Sequence, residues 1–307
     1  MKLYFRRAGG RFMLPAVLFL LPALPAEAGV WERLQGMTNP EARNTQGQTG
    51  ITVTYTPAEW PQPLQGDLYL PAGSAPSVGE YPVVLLLHGG AWRSGDKASM
   101  RGLGQVLADR GYVAMSINYR LAPGARYPAP LQDMQQAVRW LQQHAGEYRL
   151  DMGRLAAWGY AAGGHLAALL AVQPPSDLPS LRVVVAGGAP MDLRAWPEAG
   201  DASVTSFIGG SVADIPALYD QASPITFVRP GLPPFFLYHG TEDQVVSPSQ
   251  AAGFAAALGD AGVAVELTWL QGLDHEGTAA AAQIRPAALQ FLDRNIVRLP
   301  GGAAMIW

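Results

Sequence analysis

Four short stretches carry residue types suited to acyl transfer: HGGAW at 88–92, GYAAG at 159–163, GTED at 240–243 and GLDHEG at 272–277. That chemistry needs a nucleophile on an exposed turn, a histidine base, an acid that orients the histidine, and N–H donors where negative charge develops. GYAAG has the spacing of a G-x-S-x-G nucleophile elbow, with Ala161 in the serine's slot. Gly159 and Gly163 let the chain turn without Cβ clashes, and Gly164 lets the following helix pack closely. The side chain at 161 is then exposed above a strand end, at a helix N-terminus whose partial positive charge favours an oxyanion. The G-x-x-x-G spacing alone also describes a small-residue strand-to-helix turn with no chemistry.

HGGAW ends a buried strand, and its glycines allow a substrate to come close. The N–H groups of Gly89 and Gly90, with that of Ala162, are assigned to an oxyanion hole, where losing one donor typically costs ~3–4 kcal/mol. An ordinary strand-to-loop turn is the other reading. Asp243 sits in a turn after a buried strand, where an acid could orient a histidine. Glu242 is its rival and is expected to face solvent; a capping or turn bond is the alternative role for Asp243. Of five histidines, only His275 follows Asp243, as the order nucleophile, acid, histidine requires. His88 and His239 are expected to brace backbone, His144 to end a helix in solvent, and His165 to bond a loop. Ser94, Ser116 and Ser211 lack an elbow and cannot replace the missing nucleophile. Tyr160 is expected to lean into the sheet's packing. Trp92, Tyr160, Trp196 and Phe207, with Tyr219, are candidate walls of an apolar cleft, core packing being the other reading.

These stretches need a sheet to hold them. The runs at 81–90, 111–119, 154–160, 181–190, 233–240 and 264–272 are apolar enough for strands buried on both faces. Residues 51–55 and 66–70 alternate like half-exposed antiparallel edge strands. Three-four apolar spacing predicts helices at 100–110, 130–145, 163–172, 248–261 and 280–298. Strands alternating with helices predict an α/β fold: a mostly parallel central sheet with helices on both faces and ligands at the strands' carboxyl ends. Residues 191–226 break the rhythm and are expected to form a short, lid-like insertion over the rim.

The 307 residues, 49% of them hydrophobic, suit one domain from 29 to 307 after a leader. Lys2, Arg6, Arg7 and Arg11, the apolar run from Phe12 to Leu24, and Ala26-Glu27-Ala28 read as a signal peptide over 1–28 and an exported, periplasmic or extracellular protein. That run is short of the ~18–20 residues of a spanning helix, so no stable membrane span is expected once the leader is removed, an uncleaved membrane anchor being the other reading. The absence of cysteine excludes disulfides and thiolate metal sites. A net charge of −3 with no basic run points away from nucleic acid. No metal-ligand cluster, dinucleotide fingerprint or phosphate loop is present, so no cofactor is expected.

Together these residues resemble the α/β-hydrolase family, in particular the exported carboxylesterase/lipase branch with an H-G-G-x-W oxyanion loop. YRLAP at 119–123 with YPAPLQDMQQAVRWL at 127–141 is also similar to the hormone-sensitive-lipase-like esterases. The segment from Ala222 to Pro248 resembles the acid segment of feruloyl- and acetyl-esterase relatives. The likeness covers roughly residues 50–298 and implies an α/β-hydrolase fold, Asp243 as triad acid, His275 as triad base and Gly89, Gly90 and Ala162 as oxyanion donors. It implies a carboxylic-ester hydrolase acting on a small-molecule ester or acyl substrate. Ala161 departs from the pattern, so the chain is expected to be catalytically impaired, either as a Ser→Ala variant or as a pseudoenzyme. A non-catalytic protein that binds an ester- or acyl-like ligand or a partner is the alternative.

Overall fold

The computed structural model describes residues 50–72, 81–195 and 202–296, and the backbone of two short paired strands, β1 (Phe5–Arg7) and β2 (Gly10–Phe12). The expected leader over 1–28 otherwise lies outside the described residues, as does Trp196. Eight further strands form one sheet: β3 (Ile51–Thr54), β4 (Gln65–Tyr69), β5 (Tyr81–Leu87), β6 (Val113–Ile117), β7 (Leu150–Tyr160), β8 (Val183–Gly187), β9 (Phe235–Gly240) and β10 (Val265–Leu270). Their spatial order is β10-β9-β8-β7-β5-β6-β4-β3. The six from β10 to β6 run parallel, and β4 and β3 add antiparallel at one end.

The apolar strands β5, β6, β8 and β9 and the end of β7 are buried on both faces because each side of the sheet is covered, whereas β10, expected to be buried too, is the edge strand and stays partly exposed. Val83, Leu85 and Leu87 of β5 face a core shared with α2 (Ala129–Gln143) and α3 (Ala162–Val172). Val84 and Leu86 face the other core, with Leu107 of α1 (Arg101–Asp109) and Phe291 and Leu292 of α5 (Arg285–Ile296). Each such side chain, fully buried, contributes about 1.5–3 kcal/mol. α2 buries Leu131, Met134, Val138 and Leu141 at helical spacing. α4 (Pro248–Asp260) starts where Ser247 accepts the Ser249 N–H.

The half-exposed character expected of the antiparallel strands holds for β3 alone. β4 is buried, because Leu68 enters the core shared with α2 and α3 and Tyr69 enters the other core, against Gly104 of α1. The insertion at 191–226 contributes two short helices, Ala202–Ile208 and Pro216–Gln221, and is not a loose flap: Val204, Phe207, Ile208 and Tyr219 belong to the α2–α3 core. Among the described residues no helix is long and apolar enough to cross a membrane.

The chain goes from β5 to β6 on one side and then returns to place β7 on the other. Such a switch opens a crevice at the carboxyl ends of the two strands. HGGAW leaves β5 and GYAAG ends β7, so the two lie at that crevice, while Asp243 and His275 follow the ends of β9 and β10.

Candidate active site

Ala161 links β7 to α3 with φ 50° and ψ −120°, a conformation that an L residue adopts at a cost of about 1–3 kcal/mol. The surroundings hold it there: its N–H donates to the Gly187 carbonyl at 2.8 Å and its carbonyl accepts the His165 N–H at 2.9 Å. The flanking glycines are needed for close approach. A Cβ at Gly159 would strike the Gly163 backbone, one at Gly163 would strike the Leu87 carbonyl, and one at Gly164 would lie 2.9 Å from the Ala189 Cβ. Gly163→Ala is therefore expected to lower stability by about 3 kcal/mol, since backbone cannot yield as a side chain does. A urea midpoint unchanged from the parent's would contradict this.

The loop after β5 passes directly beside the elbow: a Cβ at Gly89 would lie 3.6 Å from the Ala161 Cβ. Gly90, Ala91 and Trp92 follow with φ of 111°, 52° and 57°. Two of these are not glycine, so the loop stores strain that must be held from outside. The Gly90 carbonyl accepts the N–H groups of Arg93 and Ser94, both at 3.0 Å. Neither the Gly89 nor the Gly90 N–H donates to a backbone acceptor among the described residues, and Ala162 opens α3, where an N–H has no intrahelical acceptor. His88 stacks on Tyr119 with ring centroids 4.3 Å apart, and the Tyr119 hydroxyl donates to the His88 carbonyl at 2.8 Å. The next residue, Arg120, is fixed by the buried Asp133 carboxylate, which also accepts the Trp60 indole N–H at 2.9 Å. The YRLAP segment thus braces the HGGAW loop, a role its residue types alone did not disclose.

Asp243 is 3% exposed, whereas Glu242 is exposed, as expected. The Asp243 Oδ1 accepts the Val245 and Val246 N–H groups at 2.9 and 2.8 Å. Its Oδ2 lies 2.7 Å from His275 Nδ1 and 3.2 Å from His239 Nε2. Burial pushes this carboxyl up, but hydrogen bonds from His239, His275 and the Val246 N–H outweigh it and hold the group far below the usual carboxylate range. With Nδ1–H of His275 donating to a carboxylate, the lone pair of that ring lies on Nε2, as a base requires. His275 heads the short helix His275–Ala280, which Asp274 caps by accepting the Gly277 N–H. Tyr160 joins base to elbow: its hydroxyl donates to the His275 carbonyl and its ring lies 5.1 Å from the imidazole.

Tyr160 therefore positions the loop that carries His275; it also packs near Tyr238. Trp92 and Phe207 are not cleft walls. They are 2% and 0% exposed and stack on each other at 4.6 Å, because the insertion folds into the core. Tyr219 is likewise buried, its hydroxyl donating to the Gly210 carbonyl. Ser94 is bonded to the Gly90 carbonyl, Ser116 is buried in β6, and Ser211 is bonded to Asp214. His88 and His239 contact backbone carbonyls, at Gly89 and Val246. His144 stacks on Trp140 at 4.0 Å and does not stand free in solvent. No group of histidines and carboxylates that could hold a metal exists among the described residues.

His165 bonds a loop as expected, and does more. Its Nε2 lies 2.8 Å from the Ala222 carbonyl, and its Nδ1 accepts the Trp92 indole N–H at 3.2 Å. Burial pushes its pKa down from 6.5 to about 4. The unfolded chain therefore binds the extra proton first as pH falls. This contribution to stability is intact above about pH 6.5 and is lost by about pH 4, a change of about 3 kcal/mol. Asp243 acts at lower pH, since its carboxyl is depressed from 3.8. His165→Gln should lose correspondingly less stability over that window in urea titrations; an identical pH slope would contradict the assignment.

A nucleophile elbow, an adjacent strand-end loop of unpaired N–H groups and an Asp–His pair on the last two strands of a mostly parallel sheet define the α/β-hydrolase class. The BD-FAE family model matches residues 66–258, and the chain belongs to that family of α/β-hydrolase esterases. It is similar to Esterase LipQ of Mycobacterium tuberculosis, 32% identical over 199 residues, covering 60% of this chain and 47% of LipQ. It is also similar to Carboxylesterase NlhH of the same organism, 29% identical over 280 residues, covering 85% and 83%. The chain thus spans about half the length of LipQ and most of NlhH. A truncated carbohydrate esterase from gut microbiota shares the fold, with a TM-score of 0.71 and 24% identity over 82% of this chain and 97% of that one.

Proposed function

We propose that this chain has the site of a carboxylic-ester hydrolase whose covalent step is disabled by Ala161. In the active form a hydroxyl at 161 attacks the ester carbonyl, His275 Nε2 takes its proton, Asp243 stabilises the imidazolium, and the N–H groups of Gly89, Gly90 and Ala162 stabilise the oxyanion. The alcohol leaves with the proton from His275, and water releases the acid by the same steps. The observation that carries this reading is the 2.7 Å bond between Asp243 and His275, on a loop tied to the elbow through Tyr160. The names of LipQ and NlhH agree with ester chemistry. Ala161→Ser assayed on p-nitrophenyl acyl esters tests it.

Ala161 itself favours a second reading, in which the unreverted chain binds an ester- or acyl-like small molecule without turning it over. A reverted protein no faster than its parent would support that. The basic stretch, apolar run and Ala26-Glu27-Ala28 support export with removal of residues 1–28 as part of the same proposal.

A further inference from the structure

α3 buries every one of its residues, and His165 is its only polar side chain. An indole N–H is a donor only, so the Trp92 contact requires an unprotonated Nδ1. The proton then sits on Nε2, which donates to Ala222. The two bonds run in opposite directions. One reaches the oxyanion loop, the other the insertion between the helix Pro216–Gln221 and the turn Pro224–Phe227. The same ring meets Trp92 and Phe207 edge-on, at 5.1 and 5.7 Å between centroids. The His165 N–H is bonded to the elbow residue itself. One residue therefore joins three parts of the site: its backbone N–H meets the elbow, and its imidazole meets the oxyanion loop and the insertion. Trp92 is also the last of the three consecutive positive-φ residues that follow Gly89, so its anchorage decides whether that bend persists.

We propose that His165 is a positioning residue: the chain Trp92–His165–Ala222 locks the oxyanion loop to the insertion and so keeps the Gly89 and Gly90 N–H groups aimed at the reacting carbonyl. This rests on the ester-hydrolase reading of the site. The insertion is thereby coupled to catalysis without lining the cleft, because a shift at Ala222 is transmitted to the loop through a rigid ring.

The test uses the chain carrying Ala161→Ser. His165→Phe keeps a planar aromatic ring, somewhat larger, and removes both hydrogen bonds; His165→Gln keeps an acceptor for Trp92 and a donor for Ala222. His165→Phe is expected to lower kcat on p-nitrophenyl acetate by about 10²-fold, as for one lost oxyanion donor, with KM within about threefold, and His165→Gln to stay within about fivefold of its parent. Equal losses in both variants, no loss in either, or a loss confined to KM would overturn the proposal. Should His165→Phe fail to fold, Trp92→Phe removes the same hydrogen bond from the other end and should give the same kcat loss; a parental kcat there overturns it equally. The unreverted chain gives a readout independent of turnover. The Trp92 indole N–H should exchange slowly with solvent in the parent and in His165→Gln and fast in His165→Phe, and equal protection in all three contradicts the lock. If the serine-bearing chain has no turnover, the ester-hydrolase reading fails and indole exchange alone decides the role of His165.

Discussion

Ala161→Ser is expected to raise turnover of p-nitrophenyl acetate by up to about 10⁶-fold, the loss seen when a triad's nucleophile is removed. The size follows from what is already in place. The strained φ of 50° at position 161 is held by hydrogen bonds of its own backbone, so one added oxygen does not have to remake the turn. Asp243 accepts hydrogen bonds from two backbone N–H groups and from His275, with His239 at 3.2 Å, and His275 is tied down at Nδ1 and at its carbonyl. The glycine contacts allow no side chain at 159 or 163, so the elbow backbone is the one an active nucleophile needs. Before reversion, turnover should stand only on the order of 10³–10⁴ above water, from the oxyanion donors and binding. A gain below tenfold, in a protein as stable as its parent, would speak for the binding reading.

The second large effect is the loss of that gain. In the serine-bearing chain, His275→Ala should return turnover to the level of the unreverted protein, a drop on the order of 10⁶ at most, and Asp243→Asn should cost about 10⁴. The asparagine would keep Oδ1 as an acceptor for Val245 and Val246 but present an N–H₂ to His275, reversing the bond that places the lone pair on Nε2. The two losses should not add: with His275 gone, Asp243 has no base to orient, so the double variant should match His275→Ala. Additive losses would mean that Asp243 acts by another route.

Much of this was legible before any coordinates. The runs that become β5 to β9 are continuously apolar because helices cover both faces, and a buried parallel strand leaves that signature. Chain order singled out Asp243 and His275 among several acids and five histidines. What was hidden depended on contacts between distant segments. β4 read as half-exposed because its alternation does not reveal that Leu68 and Tyr69 each meet a core. Trp92 and Phe207 read as cleft walls because their place on rim loops says nothing of the insertion turning inward to stack them. The links from Tyr160 to His275 and from Tyr119 to His88 span long stretches of chain, and periodicity carries no record of them. His165 did leave a trace, as a lone polar side chain in an otherwise apolar helix, which burial makes a sign of satisfied hydrogen bonds.

The central claim is that position 161 is a nucleophile's place, served by His275. Treating the Ala161→Ser chain with a fluorophosphonate and mapping the adduct by peptide mass spectrometry tests it most directly. The account predicts one stoichiometric adduct on residue 161, absent from the unreverted chain and greatly slowed by His275→Ala. An adduct on Ser94 or Ser211, no adduct at all, or labelling at 161 that is indifferent to His275 would contradict it.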